Sequence, residues 1–175
     1  SAAGKTCIIQ RIALDIFEPG TIATTTAAFT RKEMKYNDAD ITLSIWDTAG
    51  QERFMSVSPI YFRGAQFALL VFDITNKTSF DQIQYWFEQL RQKSAVDTNT
   101  YLIGNKSDLE SERKVLESDA KQFAEQKNMK YFETSAKNGG GIQELLNSLC
   151  IDYSSNTDEI RQTQKVILQQ KKKCC

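Results

Sequence analysis

Hydrophobic and polar residues follow two different periods along this chain, and these periods predict strands and helices. Within residues 40–46, aliphatic and polar side chains alternate from Ile41 onward, which is the period of a strand with one buried face. We predict that this strand pairs with residues 28–36 in a hairpin that turns at Asn37 and Asp38. Three further strands are predicted: a buried strand at 66–73, a short apolar strand at 101–104 and a strand-like segment at 130–133.

Between the strands, apolar residues recur at helical spacing. After Lys5 they suit a short helix and fall at Cys7, Ile8, Ile9, Ile12, Ala13 and Ile16. Further helices are predicted at 79–93, 118–127 and 142–151, and we expect a capping box between Ser79 and Gln82 to start the first of them. Strands that alternate with helices predict an α/β fold with a mostly parallel sheet flanked by helices.

Ser1-Ala2-Ala3-Gly4-Lys5-Thr6 has the composition of the second half of a phosphate-binding loop. In such a loop the backbone amides surround phosphates, the lysine reaches the terminal phosphates and the threonine hydroxyl ligates Mg²⁺. The helix that follows adds its N-terminal dipole to the anion site. Gly4-Lys5-Thr6 alone also occurs by chance in ordinary loops. Because the loop's first glycine and the strand before it would precede Ser1, we expect the first strand of the sheet to be missing from this chain.

Residues 46–54 place a second candidate site at the end of a predicted strand. Asp47 lies at the edge where open α/β sheets bind ligands, and its carboxylate suits a metal ion. Gly50 has no Cβ atom, so its amide can approach an anion closely. The side-chain amide of Gln51 can donate and accept at once, so it can orient an attacking water. The alternative is a plain surface turn after an edge strand.

Two polar segments indicate which base is bound. Asn105-Lys106-Ser107-Asp108 follows one predicted strand, and the Asp108 carboxylate can accept two hydrogen bonds from the N1–H and N2–H₂ edge of guanine. Adenine offers no such pair, so the carboxylate would reject it. Ser135-Ala136-Lys137 follows the next strand and can aim a backbone amide at the guanine carbonyl. Either segment alone also fits an ordinary polar turn, but the order of all these motifs points to a guanine nucleotide.

Residues 1–150 resemble the Rab family of small GTPases in the Ras superfamily. The resemblance rests on Gly4-Lys5-Thr6, 46–54, 61–65, 70–75, 105–108, 135–137 and the terminal Cys174-Cys175. Short matches at Ser1-Ala2, 27–29 and 63–66 are similar to the endosomal Rab subgroup. The resemblance implies a P-loop small G domain with a mostly parallel six-stranded sheet flanked by helices, here without its first strand.

The resemblance also implies GTP or GDP as the bound nucleotide and Mg²⁺ as the cofactor. Lys5 would contact the β- and γ-phosphates, while Thr6, Thr24 and, through water, Asp47 would hold the metal. Thr24 is the first of three consecutive threonines, and the alternative is that it merely leads into a strand. Gln51 would be the catalytic residue that positions the hydrolytic water.

On the base side, the resemblance implies that Asn105 and Asp108 read guanine and that Phe17 packs edgewise on it. Gly50 would donate its amide to the γ-phosphate. The implied nucleotide-binding residues are Ser1, Ala2, Ala3, Gly4, Lys5, Thr6, Cys7, Phe17, Thr24, Gly50, Asn105, Lys106, Asp108, Ser135, Ala136 and Lys137.

Phe29, Trp46 and Tyr61 are, by the same resemblance, an aromatic triad at which effectors bind between the two switches, the loops around Thr24 and Gly50 that GTP would order. The alternative is that these aromatic side chains pack in the core, as strand aromatics often do. Further partners implied are a guanine-nucleotide exchange factor, a GTPase-activating protein, a prenylation escort protein and a GDP-dissociation inhibitor.

Composition narrows the function classes. The chain has 175 residues with 41% hydrophobic residues, which suits one domain and a tail. Its 22 basic residues balance its 22 acidic ones, so no overall positive charge favours nucleic acid. The chain has no histidine, which removes every catalytic or metal site built on that residue. The four cysteines, at 7, 150, 174 and 175, have neither zinc-like spacing nor a secreted context that favours disulfides.

The last part of the chain loses the apolar pattern. We predict a G domain over residues 1–152 and a disordered tail over 153–175. Cys174-Cys175 resembles the double-cysteine geranylgeranylation signal of Rab proteins, and two lipid chains give stable anchoring. The lysines at 171–173 would add attraction to anionic lipid, so we expect the protein on the cytosolic face of intracellular membranes, with endosomes favoured.

The function predicted from the sequence is therefore a GTP-binding and GTP-hydrolysing switch in vesicle trafficking. One alternative is a nucleotide-binding scaffold of the same fold that does not cycle, since Thr25-Thr26 stand where most Rab proteins have Ile-Gly. Another is a generic ATPase.

Overall fold

A computed structural model describes residues 2–20, 24, 27–48, 64–94 and 98–155. In chain order its elements are α1 (Lys5–Leu14), β1 (Ala28–Tyr36), β2 (Ala39–Asp47), β3 (Phe67–Asp73), α2 (Lys77–Asp81), α3 (Ile83–Lys93), β4 (Asn99–Asn105), a 3₁₀ helix (Ser107–Glu112), α4 (Glu117–Gln126), β5 (Lys130–Thr134) and α5 (142–155). The chain divides into two units, Ser1–Gln143 and Glu144–Cys175. None of the helices in the described ranges has the length and apolar content needed to cross a membrane.

The predicted hairpin is confirmed, with β1 and β2 antiparallel along their whole length. Asn37 and Asp38 form its turn with φ angles of 46° and 62°, a left-handed region that these two residue types tolerate better than most. Ile41, Leu43 and Ile45 are half-buried on one face of β2, and the side chains between them are exposed. Helix α1 contacts both strands.

Strands β3, β4 and β5 form the predicted parallel sheet, in that order. Helices α2 and α3 contact β3, and α4 contacts β4 and β5. One hydrophobic core cluster contains Phe72, Ile74, Ile83, Leu102, Val115, Ala120, Ala124 and Met129, from β3, β4 and these helices and from the loops beside them. In the described part of the chain this sheet and the hairpin are separate. That the first strand of the sheet is missing from this chain stays a prediction.

The predicted capping box is wrong, because the helix starts earlier. Asn76 caps α2, and its Oδ1 atom accepts the amide of Ser79 at 3.2 Å. The Ser79 hydroxyl donates to the Asn76 carbonyl at 2.7 Å and accepts the Asp73 amide at 2.9 Å, so it fastens the helix to the end of β3. Gln82 lies at the break between α2 and α3 and has helical φ and ψ.

The last two helices fall where the sequence predicts them. Helix α4 covers Glu117–Gln126, and its Ala120 and Ala124 are buried. Helix α5 runs over 142–155 and so extends beyond residue 152, into the predicted tail. All four residues of its predicted apolar stripe are buried: Ile142, Leu145, Leu146 and Leu149.

Candidate functional site

The N-terminus of α1 is capped by a glycine in a left-handed conformation. Gly4 has a φ of 85°, and its carbonyl accepts the amide of Ile8 at 2.9 Å. A Cβ atom on Gly4 would lie 2.4 Å from Nδ2 of Asn105, so a side chain there would force the Asn105 amide to move. No side chain in the described part of the chain caps this helix end. Its amides and its dipole therefore suit an anion.

Lys5 is the first residue of α1 and is half-buried. Burial lowers the pKa of its ammonium group below the ordinary 10.5, while the nearby Asp47 carboxylate acts in the opposite direction. Water screens such a cation less than it screens a surface lysine. An anionic ligand would therefore interact strongly with Lys5.

Three oxygen-bearing side chains converge at the end of β2. The Thr6 hydroxyl donates to Oδ2 of Asp47 at 2.7 Å, and the hydroxyl oxygens of Thr6 and Thr24 lie 2.6 Å apart. The Thr24 hydroxyl lies 3.5 Å from the same carboxylate oxygen. Asp47 is buried, and its Oδ1 atom has no hydrogen-bond partner among the described residues.

This cluster has the donor chemistry of a magnesium site. Mg²⁺ prefers oxygen ligands, and one carboxylate and two hydroxyls meet here. A buried carboxylate oxygen without a partner is costly, so Oδ1 of Asp47 also points to a ligand. No group of three acidic, cysteine or histidine residues that could hold a metal lies in the described ranges. The cluster therefore fits Mg²⁺ that takes its remaining ligands from water and phosphate.

Asn105 connects this phosphate-binding end to the predicted base-binding end. Its Nδ2 atom donates to the Ala3 carbonyl at 2.9 Å. Its Oδ1 atom accepts the Thr134 hydroxyl at 3.2 Å and the Ala136 amide at 3.3 Å. The Ala136 amide, a candidate for the guanine carbonyl, is thus bonded to Asn105 in this structure. One buried side chain ties together three segments that are far apart in sequence.

Asp108 is contacted on both carboxylate oxygens by the segment 135–137. The Ser135 hydroxyl donates to Oδ1 at 2.5 Å, and the Lys137 ammonium lies 3.9 Å from Oδ2. The backbone amide of Asn138 donates to the Ser135 hydroxyl at 3.2 Å. Each carboxylate oxygen can accept more than one hydrogen bond, so the oriented group can still receive donors from a base.

Sequence reasoning assigned no role to two residues that support this region. Asp73 pairs with Lys106, whose ammonium lies 2.6 Å from Oδ2. Arg11 donates from Nε to the Ala136 carbonyl at 2.9 Å and from Nη2 to the Lys137 carbonyl at 2.8 Å. Asp73 could have been selected from the sequence as a candidate site residue, because it ends a predicted strand as Asp47 does. Arg11 could not have been, since its partners lie more than a hundred residues away in the chain.

The remaining nucleotide-side predictions fall in different surroundings. Ala3 is buried, whereas Ala2 is exposed with a φ of 63°. Cys7 and Phe17 are half-buried. The predicted residues outside the described ranges are Ser1, Gly50, Gln51, Tyr61, Cys174 and Cys175.

Phe29 and Trp46 form an exposed aromatic pair on the hairpin. They stand opposite each other in the strand register, with ring centroids 4.9 Å apart. Each side chain is 48% exposed, so neither belongs to the core. Both lie on the outer face of the hairpin, opposite the half-buried aliphatic side chains of β2.

Comparison with known proteins gives one consistent answer. The sequence model of the Ras family matches residues 1–154. Ras-related protein Rab-13 of Mesocricetus auratus is 40% identical over 152 residues, which are 87% of this chain and 75% of that protein. Ras-related protein Rab-2B of Dictyostelium discoideum is 42% identical over 144 residues, or 82% of this chain and 71% of that protein. Ras-related protein Rab-21 of Bos taurus is 40% identical over 147 residues, or 84% of this chain and 66% of that protein.

Proposed function

This chain belongs to the Ras family as a Rab small GTPase, and from that premise we propose how its own residues bind and hydrolyse GTP. Rab small GTPases bind GTP and GDP with Mg²⁺, hydrolyse GTP and take part in vesicle traffic. The observation that carries the residue assignment is the joining, through Asn105, of the α1 N-terminus to the Asp108 segment. This juxtaposition supports a nucleotide that lies with its phosphates at α1 and its base at Asp108.

On the phosphate side, the amides at the start of α1 and the Lys5 ammonium bind the β- and γ-phosphates. Thr6, Thr24 and, through water, Asp47 would hold Mg²⁺, which would supply positive charge to the phosphate oxygens. The close approach of the three oxygen-bearing side chains supports this assignment. Gly50 and Gln51 lie outside the described residues. For them we propose an amide contact to the γ-phosphate and the orientation of the attacking water.

On the base side, Asp108 accepts the N1–H and N2–H₂ groups of guanine. Ser135 and Lys137 orient its carboxylate from one side, and the Asp73–Lys106 ion pair supports the turn that carries it. Phe17 packs on the base edge. A guanine-reading site of this kind rejects adenine, because adenine would leave the carboxylate without partners.

The experiment that tests the function is nucleotide binding and single-turnover hydrolysis by the 175-residue chain, with Gln51→Leu as the variant. We expect preference for GTP over ATP and hydrolysis at least about tenfold slower in Gln51→Leu, with GTP affinity kept. Gln66→Leu is a matched control, because it makes the same substitution at an exposed glutamine that is not a predicted site residue.

Equal hydrolysis rates in wild type and Gln51→Leu would defeat the role of Gln51. GTP binding without hydrolysis would favour the non-cycling scaffold, which the Rab relatives do not favour. Preference for ATP, unchanged in Asp108→Asn, would favour the generic ATPase.

We further propose that the aromatic pair of Phe29 and Trp46, with Tyr61, binds effectors. The exposure of the two described rings supports a contact surface, since exposed aromatic side chains often anchor interfaces. An exchange factor and an activating protein are the other proposed partners at the switches, the latter because no arginine of this chain is assigned as a catalytic finger. Binding of a GTP-dependent effector that is unchanged in Phe29→Ala and Trp46→Ala would contradict this surface.

For the C-terminal part we propose a disordered tail that follows the described part of α5, over 156–175, and is geranylgeranylated on Cys174 and Cys175. A prenylation escort protein and a GDP-dissociation inhibitor would handle the lipid chains. The short matches at the start of the chain and at 27–29 and 63–66 support endosomal membranes as the destination. Serine replacement of both cysteines should leave the protein in the soluble fraction of cells. Persistent membrane association of that variant would exclude the lipid anchor, and co-localisation with a non-endosomal marker would exclude the endosome.

A further inference from the structure

Arg11 fixes the position of the segment 135–137 from the last turn of α1. Its side chain is only 15% exposed. Beyond the carbonyls of Ala136 and Lys137, its Nη1 atom donates at 2.9 Å to both the carbonyl and the carboxylate of Asp15. Every nitrogen of the guanidinium group is therefore bonded. The planar donor fork holds its acceptors in a fixed geometry, which a flexible lysine ammonium could not reproduce.

The segment that Arg11 holds is itself a closed turn. The Ser135 amide donates to the Gly140 carbonyl at 2.9 Å, and the Gly139 amide donates to the Ser135 carbonyl at 2.8 Å. The residues on either side of Ala136 contact the two oxygens of Asp108, one through a hydroxyl and one through an ammonium. A shift of this turn would therefore change the orientation of the Asp108 carboxylate.

We propose that Arg11 is a positioning residue for base selectivity: it anchors the 135–137 turn to α1, and the turn in turn orients Asp108 toward guanine. The inference rests on the proposed function, in which Asp108 reads the base. It goes further because it gives α1, the helix whose N-terminus would bind the phosphates, a part in selecting the base. Arg11 acts through Ser135 and Lys137, not by touching the nucleotide.

Arg113 provides a comparison: its similarly buried side chain joins Glu110, in the 3₁₀ helix that carries Asp108, to Glu133, but it makes no bond to the 135–137 turn. Its side chain is 13% exposed and pairs with Glu110 at 2.6 Å and Glu133 at 2.7 Å. It also donates to the Val115 carbonyl at 3.2 Å. None of these acceptors lies in the 135–137 turn. Loss of Arg113 should therefore reduce stability and leave base selectivity in place.

The test compares GDP with inosine diphosphate, which lacks the 2-amino group and so offers Asp108 one donor group fewer. Dissociation constants for both nucleotides are measured with Mg²⁺ on the 175-residue chain and on Arg11→Met, Arg11→Lys, Arg113→Met and Ser135→Ala. In Arg11→Met we expect the preference for GDP to fall by about three- to tenfold, the size of one weakened hydrogen bond. Arg11→Lys should keep an intermediate preference, since an ammonium can still reach one carbonyl.

The double variant Arg11→Met with Ser135→Ala tests the route of the effect. If Arg11 acts through the turn, the loss of Arg11 should change selectivity less once the Ser135 hydroxyl is gone, and the change that remains would come through Lys137. A merely structural role would lower the stability of Arg11→Met and Arg113→Met alike and leave the GDP preference of both unchanged.

An unchanged preference in Arg11→Met, or an equal fall in Arg113→Met, would overturn the inference. So would an undiminished effect of Arg11→Met in the Ser135→Ala background. A wild-type chain that binds GDP and inosine diphosphate equally would instead refute the proposed role of Asp108. If Arg11→Met does not fold, Arg11→Lys carries the same comparison, and a wild-type preference in that variant would overturn the proposal.

Discussion

Replacing Gly4 by alanine should destabilise the protein more than the same change at Gly20. Both glycines adopt left-handed backbone, with φ angles of 85° and 82°. An alanine there costs about 1–2 kcal/mol at either position. Only at Gly4 would the new Cβ atom meet another group, at 2.4 Å from Nδ2 of Asn105, whereas at Gly20 nothing lies within 4 Å.

The additional loss at Gly4 follows from what Asn105 must give up. To make room, its amide group has to withdraw from the Ala3 carbonyl, to which it donates at 2.9 Å. Leaving a buried acceptor without its donor costs about 1–3 kcal/mol. The free energy of unfolding should therefore fall by about 2–5 kcal/mol in Gly4→Ala and by about 1–2 kcal/mol in Gly20→Ala.

Urea unfolding measures both losses, provided that the m-value is the same in each variant. The Asn105→Ala background removes the clashing atom. In that background the penalty of Gly4→Ala should drop to that of Gly20→Ala. Equal losses for the two glycine variants in the wild-type background, or a Gly4→Ala penalty that Asn105→Ala does not reduce, would refute the steric reasoning.

Two further predictions concern pH. GDP affinity should fall as the pH rises through the pKa of Lys5, which burial holds below 10.5 in the free protein, because bound phosphates favour the charged ammonium. GDP dissociation constants are measured for wild type and Lys5→Met from about pH 7 to 10. The dissociation constant of Lys5→Met divided by that of wild type should shrink as the pH rises, and a constant ratio would contradict the role of Lys5. Guanine also titrates in this range, but its effect is the same for both proteins and cancels in the ratio. At Glu133, burial raises the pKa, but hydrogen bonds from Arg113 and Tyr131 outweigh it and hold the pKa below 4.5. Its stabilising effect is therefore complete above pH 4.5 and is lost as the pH falls through the lower folded value, so Glu133→Gln should be less stable at neutral pH and should lose stability less steeply in acid. Glu112→Gln, at an exposed position, is the control for unfolding free energies against pH, and parallel curves for wild type and Glu133→Gln would contradict the prediction.

Local patterns predicted those parts of the fold that local physics determines. The hairpin is predicted almost to the residue, because the two-residue period of β2 and the turn at Asn37-Asp38 depend only on residues close together in the sequence. The helix before Lys93 was placed correctly at its end and wrongly at its start. Two polar residues, Asn76 and Ser79, could each have capped it, and the choice depended on the end of β3, which binds the Ser79 hydroxyl.

The site shows the same division between local and distant information. The motifs at Gly4-Lys5-Thr6, Asp47 and Asp108 are readable because their chemistry depends on neighbouring residue types. The hydrogen bonds that connect these motifs could not be predicted from the sequence, because Asn105 and Arg11 donate to backbone carbonyls more than a hundred residues away. Exposure of Phe29 and Trp46 also required the structure, since an aromatic residue on a strand can face either side of a hairpin.

The contact between Gly4 and Asn105 has an evolutionary consequence. A side chain at position 4 collides with the asparagine amide, and a smaller residue at position 105 leaves the Ala3 carbonyl without its donor. Either change alone therefore destabilises the protein, and a change at both positions still leaves a side chain in left-handed backbone and the Ala3 carbonyl without its donor. Descendants of this sequence should therefore keep both residues, and lineages that have lost either one should be rare.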